Sequence, residues 1–232
     1  MPTDVDKQAL RLFEQALVAG ARKMGLQIGA GAHEKLLAHF RLLWRWAAKM
    51  NLTTVREPQQ MAARLYLDSL VPLDKLVDGA RLHDVGSGAG FPGLVLKACR
   101  PGLRVTLTEA RRKKTTFLRQ AARQMKMNDG LDIRWRRLGW SEEDQTESFE
   151  EVMSRAAFPP AEWLELGSKL VGRSGRLWLF AGQPHGNGDL DEIGSGPWLE
   201  RHLPAGFEQE ETIMYKLPYS GLDRVLITFR RQ

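Results

Sequence analysis

The chain of 232 residues, 43% of them hydrophobic, is long enough to bury the core of one good-sized domain. The single cysteine, Cys99, excludes an internal disulfide framework. Because no apolar run has membrane-spanning length and the acidic N-terminus lacks a signal-peptide pattern, we expect a cytoplasmic protein without a membrane partner. The net charge of +6 indicates a polyanionic partner.

Two amphipathic helices are predicted at the N-terminus. In residues 3–24 the apolar side chains recur every three or four positions, and Thr3 with Asp6 approximates a capping box. A second helix is predicted at residues 33–49. We expect both helices to pack against the sheet that follows, as a helical cap formed by residues 1–50.

The polar residues of this region have ordinary structural interpretations. His33 and His39 are predicted to lie on the polar face of the second helix. A third helix is predicted at residues 57–70, where Arg64 and Asp68 are four positions apart, share a face and can form an ion pair.

A glycine-rich turn follows a short strand predicted at residues 81–85. Glycine has no Cβ and tolerates positive φ, so a ligand can approach the backbone closely at Gly86, Gly88 and Gly90. A helix is predicted at residues 91–99, and the free N–H groups at its start favour electron-rich ligand atoms. This pattern is typical of the first crossover of an open α/β sheet, where small ligands bind beyond the carboxyl ends of the strands.

The ligand of this turn has more than one interpretation. The segment from Gly88 to Gly93 fits the dinucleotide pattern G-x-G-x-x-G, which by itself is weak evidence for a nicotinamide or flavin cofactor. The glycines begin directly after the strand, however, and Asp84-Val-Gly-Ser-Gly-Ala-Gly90 resembles the first motif of S-adenosylmethionine-dependent methyltransferases. In that case Asp84 can meet the cationic methionine end of the cofactor, directly or through water. A turn without any ligand is the third alternative.

The rest of the chain predicts an α/β fold with a mainly parallel sheet, because strands and helices alternate after the glycine-rich turn. Residues 184–197 are predicted to be a loop. Two long strands at 207–217 and 222–231 then favour an antiparallel hairpin that closes one edge of the sheet. The other predicted strands lie at 103–107, 131–135, 149–153 and 175–180, and the other predicted helices at 111–127 and 163–170.

Candidate site residues follow the ends of these strands. Glu109 closes the second strand, where a carboxylate can accept both ribose hydroxyls of an adenosine, whether that adenosine belongs to S-adenosylmethionine or to NAD. Arg137, Leu138 and Gly139 follow the third strand and would flank the adenine. Arg155 follows the fourth strand, at the place where methyltransferases of this class bring the methyl group and its acceptor together.

Positive charge is concentrated in the same half of the chain. Between Lys97 and Arg137 there are 13 Lys or Arg residues and three acidic residues. This excess is either a set of solvated helix faces or a surface that contacts phosphates, and the run that contains Arg111, Arg112 and Lys113 favours the second interpretation because it is expected at the ligand-facing edge of the sheet. No H-E-x-x-H motif, cysteine pair or His-Cys cluster indicates a metal site.

Four local motifs between Asn51 and Ala181 carry a family resemblance. They are Asn51-Leu-Thr-Thr-Val-Arg56 with Met61, Arg64 and Leu67-Asp-Ser-Leu70; Asp84-Val-Gly-Ser-Gly-Ala-Gly-Phe-Pro-Gly93; Lys113 with Phe117-Leu-Arg-Gln120; and Ser154-Arg155-Ala156. With these motifs the chain closely resembles the bacterial 16S ribosomal RNA guanine-N7 methyltransferase family, also called glucose-inhibited division protein B.

The resemblance implies a Rossmann-like class I methyltransferase domain at residues 51–232 with S-adenosylmethionine as its cofactor. It implies methyl transfer to N7 of a guanine in 16S rRNA, near the decoding site of the small ribosomal subunit, by a protein that we expect to be a monomer. Phe91 and the three glycines of the turn would hold the cofactor. Arg155 would orient its methionine end or the acceptor, and Arg111, Arg112 and Lys113 would hold RNA phosphates.

Several positions depart from the family pattern. Leu65 stands where the family is expected to have His, Ala181 where it has Lys, Gly139 near an expected acidic residue, and His83 at an expected apolar position. These departures leave open an RNA-binding protein with a relic cofactor pocket. A nicotinamide-dependent oxidoreductase is a further alternative.

Overall fold

A computed structural model describes residues 3–47, 50–138, 147–182, 193 and 195–232, which form one α/β architecture. Its helices are α1 (Asp4–Lys23), α2 (Ala30–Ala47), α3 (Pro58–Met61), α4 (Asp68–Leu70), α5 (Gly93–Cys99), α6 (Arg112–Gln124), α7 (Pro160–Ser168) and α8 (Gly196–His202). A π-helical segment, Ala62–Leu67, joins α3 to α4, and a 3-10 turn lies at Leu73–Lys75. The strands are β1 (Arg81–Val85), β2 (Arg104–Glu109), β3 (Leu131–Trp135), β4 (Phe149–Ser154), β5 (Val171–Gly182), β6 (Phe207–Lys216) and β7 (Asp223–Arg231).

The strands of the described residues form a seven-stranded sheet in the order β3-β2-β1-β4-β5-β7-β6. The first five strands along the chain pair in parallel, and β7 pairs antiparallel with both β5 and β6. The predicted α/β class, the mainly parallel sheet and the antiparallel hairpin at one edge are therefore confirmed. The direction of the strand order reverses between β1 and β4, which creates a crevice beyond the carboxyl ends of these two strands.

Some element bounds differ from the prediction, and one helix was missed. Helix α2 begins at Ala30, three residues before the predicted start. Helix α8 lies at Gly196–His202, partly inside the segment 184–197 that was predicted to be a loop; most of that segment is outside the described residues. Trp198 explains α8, because it is buried in a hydrophobic cluster with residues such as Trp163, and this tertiary burial outweighs the weak helix propensity of the local sequence.

The N-terminal helices share a hydrophobic core with the sheet. The capping box of α1 is confirmed, because the Asp6 N–H donates to Thr3 Oγ1 and the Thr3 N–H donates to the Asp6 carboxylate. Phe13 of α1 stacks on Phe40 of α2 with ring centroids 3.9 Å apart, and α2 packs on α5 and α6. The predicted domain boundary at residue 50 stays a prediction.

The prediction that His39 lies on a polar face is wrong. The side chain is fully buried where α2 packs against the glycine-rich turn. Its Nε2 lies 2.9 Å from the Ala89 carbonyl oxygen and its Nδ1 lies 2.7 Å from the Tyr66 hydroxyl. Since a carbonyl only accepts, Nε2 carries the proton and Nδ1 accepts from Tyr66. Burial lowers the pKa of His39 to about 4, so the ring is neutral at pH 7 and braces the turn without charge.

Acidification should therefore lower the free energy of unfolding more in the wild-type protein than in a His39→Gln variant. The pKa of His39 is lower in the folded state than the ordinary value of 6.5, so stability from the neutral ring is complete above pH 6.5 and is lost as the pH falls toward 4. Between pH 7.5 and pH 5 we expect the free energy of unfolding to fall by about 2 kcal/mol more in the wild type than in the variant. Urea denaturation across this range measures the difference, and parallel pH profiles would contradict the assignment.

Candidate active site

A cavity of about 420 Å³ opens at the carboxyl ends of the central strands. Its walls are the segments that leave β1, β2, β3 and β4, together with three residues from the region before the sheet. The lining comprises residues 85–89 and 91, residues 108–111 and 114, residues 136–138, residues 155–158, and Leu52, Thr53 and Leu65. The cavity thus occupies the crevice that the strand order creates.

The glycine-rich turn presents bare backbone to this cavity. Gly86 and Gly88 line it and have positive φ angles of 74° and 59°, a conformation that L-residues with a side chain rarely adopt. A Cβ at Gly86 would lie 2.5 Å from the Cβ of Ala157, which packs against the turn from the segment after β4. The Gly86 N–H donates to the Thr108 carbonyl oxygen over 2.8 Å, so the turn is fixed to the end of β2.

Glu109 is held at the end of β2 by two backbone donors. Its Oε1 accepts the N–H of Arg111 at 2.8 Å and its Oε2 accepts the N–H of Gly88 at 3.0 Å. Each carboxylate oxygen can accept a second hydrogen bond. Glu109 lines the cavity, so these remaining acceptor positions suit a pair of adjacent hydroxyl groups.

Asp84 and Gly90 belong to the turn region but do not line the cavity. Asp84 is fully buried, and its Oδ2 accepts the N–H of Gly93 at 2.8 Å, at the first turn of α5. Its Oδ1 has no hydrogen-bond partner within the described part of the chain. Burial raises the pKa of Asp84 to about 7, against the opposing effects of the Gly93 N–H and Arg155. A contact between Asp84 and a cofactor stays a prediction.

Arg155 enters the cavity from the connection after β4. Its Nη1 donates to the Asp68 Oδ2 at 2.9 Å and to the Arg64 carbonyl oxygen at 2.8 Å. The guanidinium carbon lies 5.2 Å from the centroid of the Phe91 ring, within the range of a cation–π contact. Phe91 also lines the cavity. These contacts with Asp68, Arg64 and Phe91 fix Arg155 in position before any ligand binds.

The predicted ion pair between Arg64 and Asp68 is wrong, because Asp68 points into the protein interior. Asp68 is fully buried and accepts hydrogen bonds from Arg155, from Arg224 of β7 at 3.1 Å, and from the Tyr215 hydroxyl of β6 at 2.7 Å. Burial alone would raise the pKa of Asp68, but the attraction of Arg155 and Arg224 outweighs it and lowers the pKa below its ordinary value. Asp68 is therefore an ionised carboxylate that joins three segments of the chain.

The basic residues predicted to hold RNA lie at the start of α6, on one side of the cavity. Arg111 lines the cavity, whereas Arg112 and Lys113 are exposed outside it. Lys114 and Arg136 also line it and were not chosen as site residues. The spacing of three between Arg111 and Lys114 predicts a shared helix face and was the signal available for Lys114.

The remaining predicted residues lie on the β3 side. Arg137 and Leu138 line the cavity, and Gly139 lies outside the described residues. Ala156, Ala157 and Phe158 complete the lining after β4. Ala156 belongs to the Ser154-Arg155-Ala156 motif, whereas the sequence did not indicate Ala157 and Phe158, because small and apolar side chains carry no chemical signature.

The described ranges contain neither a group of three or more His, Cys, Asp or Glu residues placed to hold a metal ion nor a helix with the length and apolar character needed to cross a membrane.

The strand order, the glycine-rich turn and the carboxylate at the end of β2 define a Rossmann-like class I methyltransferase. An O-methyltransferase from Bacillus cereus in complex with SAH has the same fold, with a TM-score of 0.56 over 84% of this chain and 90% of that one at 17% identity. The chain belongs to the family described as rRNA small subunit methyltransferase G (GidB), whose profile matches residues 32–192.

Named relatives extend this match over most of the chain. The Ribosomal RNA small subunit methyltransferase G of Myxococcus xanthus is 32% identical over 220 residues, which cover 95% of this chain and 98% of the relative. The protein of the same name from Methylobacillus flagellatus is 42% identical over 167 residues, 72% of this chain and 79% of the relative. The family resemblance deduced from the four sequence motifs is confirmed.

Proposed function

We propose that this protein transfers a methyl group from S-adenosylmethionine to N7 of a guanine in 16S rRNA, near the decoding site of the small ribosomal subunit. The observation that carries the proposal is a cavity between the glycine-rich turn and Glu109 in a chain of the rRNA small subunit methyltransferase G family. Because this substrate is an rRNA of the bacterial cytoplasm, we place the protein there. We propose that it acts as a monomer.

The residues around the cavity fit this cofactor. Gly86 and Gly88 leave the backbone bare where a Cβ would take up space, and both oxygens of Glu109 retain acceptor positions for the ribose hydroxyls. Phe91 offers an apolar ring, and Arg137 and Leu138, with Gly139, would flank the adenine. Gly90 would shape the turn, and Asp84 would meet the methionine end of the cofactor, directly or through water.

The chemistry demands placement more than proton transfer. S-adenosylmethionine supplies a methyl group on a sulfonium, which is already a strong electrophile. Guanine N7 has a lone pair and no proton, so no general base has to act before the attack. What the protein contributes is the alignment of N7 with the methyl carbon and the sulfur. Arg155, fixed by Asp68 and by the Arg64 carbonyl group, would orient the methionine end or the acceptor.

The RNA substrate would be held by the basic residues beside the cavity. Arg111, Arg112 and Lys113 lie together at the start of α6 and are exposed, as phosphate contacts require. Guanines near the decoding site belong to structured RNA, which proteins recognise by shape and by unpaired nucleotides. We therefore expect the assembled subunit or its precursor, and not a free nucleotide, to be the substrate.

An RNA-binding protein with a relic pocket is the second candidate function. It is favoured by Leu65, which lines the cavity at a position where His is expected in the family. Two other departures lie away from the lining: Ala181 is buried in β5, and His83 is buried in β1 with its Nε2 2.7 Å from Thr108 Oγ1. Gly139 lies outside the described residues. Membership of a methyltransferase family leaves the nicotinamide-dependent oxidoreductase without support.

Labelled methyl transfer to small subunits that lack the modification tests the proposed function. We expect incorporation at a single guanine of 16S rRNA, mapped by primer extension after cleavage at the methylated base, and binding of S-adenosylmethionine but not of NAD. A Glu109→Gln variant removes the carboxylate charge while keeping the side-chain size, and its amide nitrogen cannot accept from the backbone N–H or from the ribose hydroxyl that one carboxylate oxygen would serve. It should therefore bind S-adenosylmethionine at least about tenfold more weakly. RNA binding without any transfer would support the relic-pocket alternative.

A further inference from the structure

Trp135 is an exposed aromatic ring beside the cavity that the proposed function does not use. It is the last residue of β3, an edge strand of the sheet, and its side chain is 55% exposed. Among the exposed apolar side chains in the described ranges, it is the largest in size. Because burying an aromatic ring is favourable, an exposed tryptophan next to a ligand site offers a surface on which a ligand can stack.

The Trp135 ring is already fixed in the absence of a ligand. Its indole Nε1–H donates to the Ala110 carbonyl oxygen over 3.0 Å, and the guanidinium carbon of Arg112 lies 5.3 Å from the ring centroid. Ala110 itself lines the cavity. The ring is therefore held next to the cavity. When a partner stacks on it, the Trp135 side chain loses little conformational entropy.

The surroundings of the ring are cationic. Five exposed basic residues flank it along the chain or across the strand end, namely Arg111, Arg112, Lys113, Arg136 and Arg137. Of the described acidic residues on β2 and β3, Glu109 accepts two backbone N–H groups and Asp132 pairs with Arg134 at 2.6 Å. An exposed aromatic ring among cations suits a nucleotide, which has both a base to stack and a phosphate to neutralise.

We propose that Trp135 is a platform on which an unpaired base of the rRNA stacks. This inference rests on the proposed function and assigns the site to a nucleotide other than the methyl acceptor. The acceptor has to reach Arg155, which follows β4, whereas Trp135 ends β3, and β1 and β2 lie between these two strands. A second, stacked nucleotide would fix the register of the RNA while Arg112 and its neighbours contact the phosphates.

A protein surface is a poorer partner for this site. Trp and Arg are also common in protein–protein interfaces, so the choice rests on the place of the ring, beside the cavity of a chain in an rRNA methyltransferase family. Stacking on an aromatic ring is also the usual way in which proteins hold unpaired RNA bases.

Equilibrium binding of a fluorescein-labelled 12-nucleotide oligoadenylate tests the platform directly. A Trp135→Leu variant should bind about tenfold more weakly than wild type, the effect of losing one stacked base, with the same dependence on salt concentration. Trp135→Phe keeps a ring and should recover most of the affinity. Tyr219→Leu is the control, because Tyr219 is also exposed, at 48%, but lies at the β6–β7 turn, and it should bind like wild type.

Each other outcome has a defined meaning. Equal affinity of wild type and Trp135→Leu for the oligonucleotide would overturn the platform, as would an equal loss in Trp135→Leu and Trp135→Phe. A rise in KM for assembled subunits, with unchanged binding of the oligonucleotide, would overturn it in favour of a protein partner. If the wild type transfers no methyl group to subunits, the proposed function fails, but the oligonucleotide experiment still decides the role of Trp135.

Discussion

An Arg155→Ala variant is expected to lose at least about 100-fold in kcat/KM for methyl transfer while remaining folded. Arg155 is the cation that reaches the cavity from β4, and misplacement of reacting groups by about an ångström has effects of this size. Asp68 would keep Arg224 and Tyr215 as partners, so the buried carboxylate would not be left unpaired. Single-turnover transfer to small subunits, with thermal unfolding measured in parallel, gives both quantities.

Arg224→Ala is the matched control for this substitution. Arg224 binds the same carboxylate as Arg155 but does not line the cavity. Both variants should therefore lose stability to a similar extent, and only Arg155→Ala should lose transfer beyond what unfolding explains. Equal losses of transfer in the two variants would show that Arg155 acts only through the fold.

An Asp68→Ala variant should lower the free energy of unfolding by about 3 to 5 kcal/mol, the range found when one partner of a buried ion pair is removed. The side chain of Asp68 is fully buried, and those of Arg155 and Arg224 are 10% and 22% exposed. Without the carboxylate, two nearby guanidinium groups would repel each other in a region of low dielectric. Urea denaturation monitored by far-UV circular dichroism measures the change.

A surface ion pair provides the comparison for Asp68. Lys75 and Glu211 are 2.8 Å apart, but both side chains are well exposed, so Glu211→Gln should change the free energy of unfolding by less than about 1 kcal/mol. Asp68→Asn keeps the shape and removes the charge, and it should fall between the two. A loss in Asp68→Ala no larger than in Glu211→Gln would contradict a structural role for the buried network.

The Asp68 network has a consequence for the site as a whole. It joins the segment before the sheet, the connection after β4 and the C-terminal hairpin through a single carboxylate. The position of Arg155 in the cavity therefore depends on residues almost 70 positions away on β7 and almost 90 positions away on α4. Arg155 keeps its bonds to Asp68 and to the Arg64 carbonyl oxygen when Arg224 is removed, so substitutions in the hairpin are expected to lower stability and to affect methyl transfer only through unfolding.

Local patterns in the sequence were sufficient for most of the sheet and for the core of the site. Strand β3 has the predicted bounds, and the hairpin pairs antiparallel at the edge as expected. The glycine-rich turn and Glu109 line one cavity, because both follow parallel strands and the carboxyl ends of such strands meet at one edge. Helix α8 was missed, since its formation depends on the burial of Trp198 against distant residues.

The polar residues of the interior were the main failures. His39 and Asp68 both lie at positions where helical spacing and residue type indicate a solvated face, and both are fully buried. Their partners, Ala89 and Tyr66 for His39, and Arg155, Tyr215 and Arg224 for Asp68, are 27 to 156 residues away along the chain. No local pattern contains information about such partners.

The sequence by itself determined the class of the fold, the place of the turn and the family, because glycine conformation, strand alternation and motif spacing are local properties of the chain. Only the tertiary structure decided which charges are neutralised and which reach the cavity. A buried polar group is tolerated when folding brings it a partner, and that pairing is a property of the packed chain. For this reason the anchoring of Arg155 by Asp68 and the bracing of the turn by His39 became visible only in three dimensions.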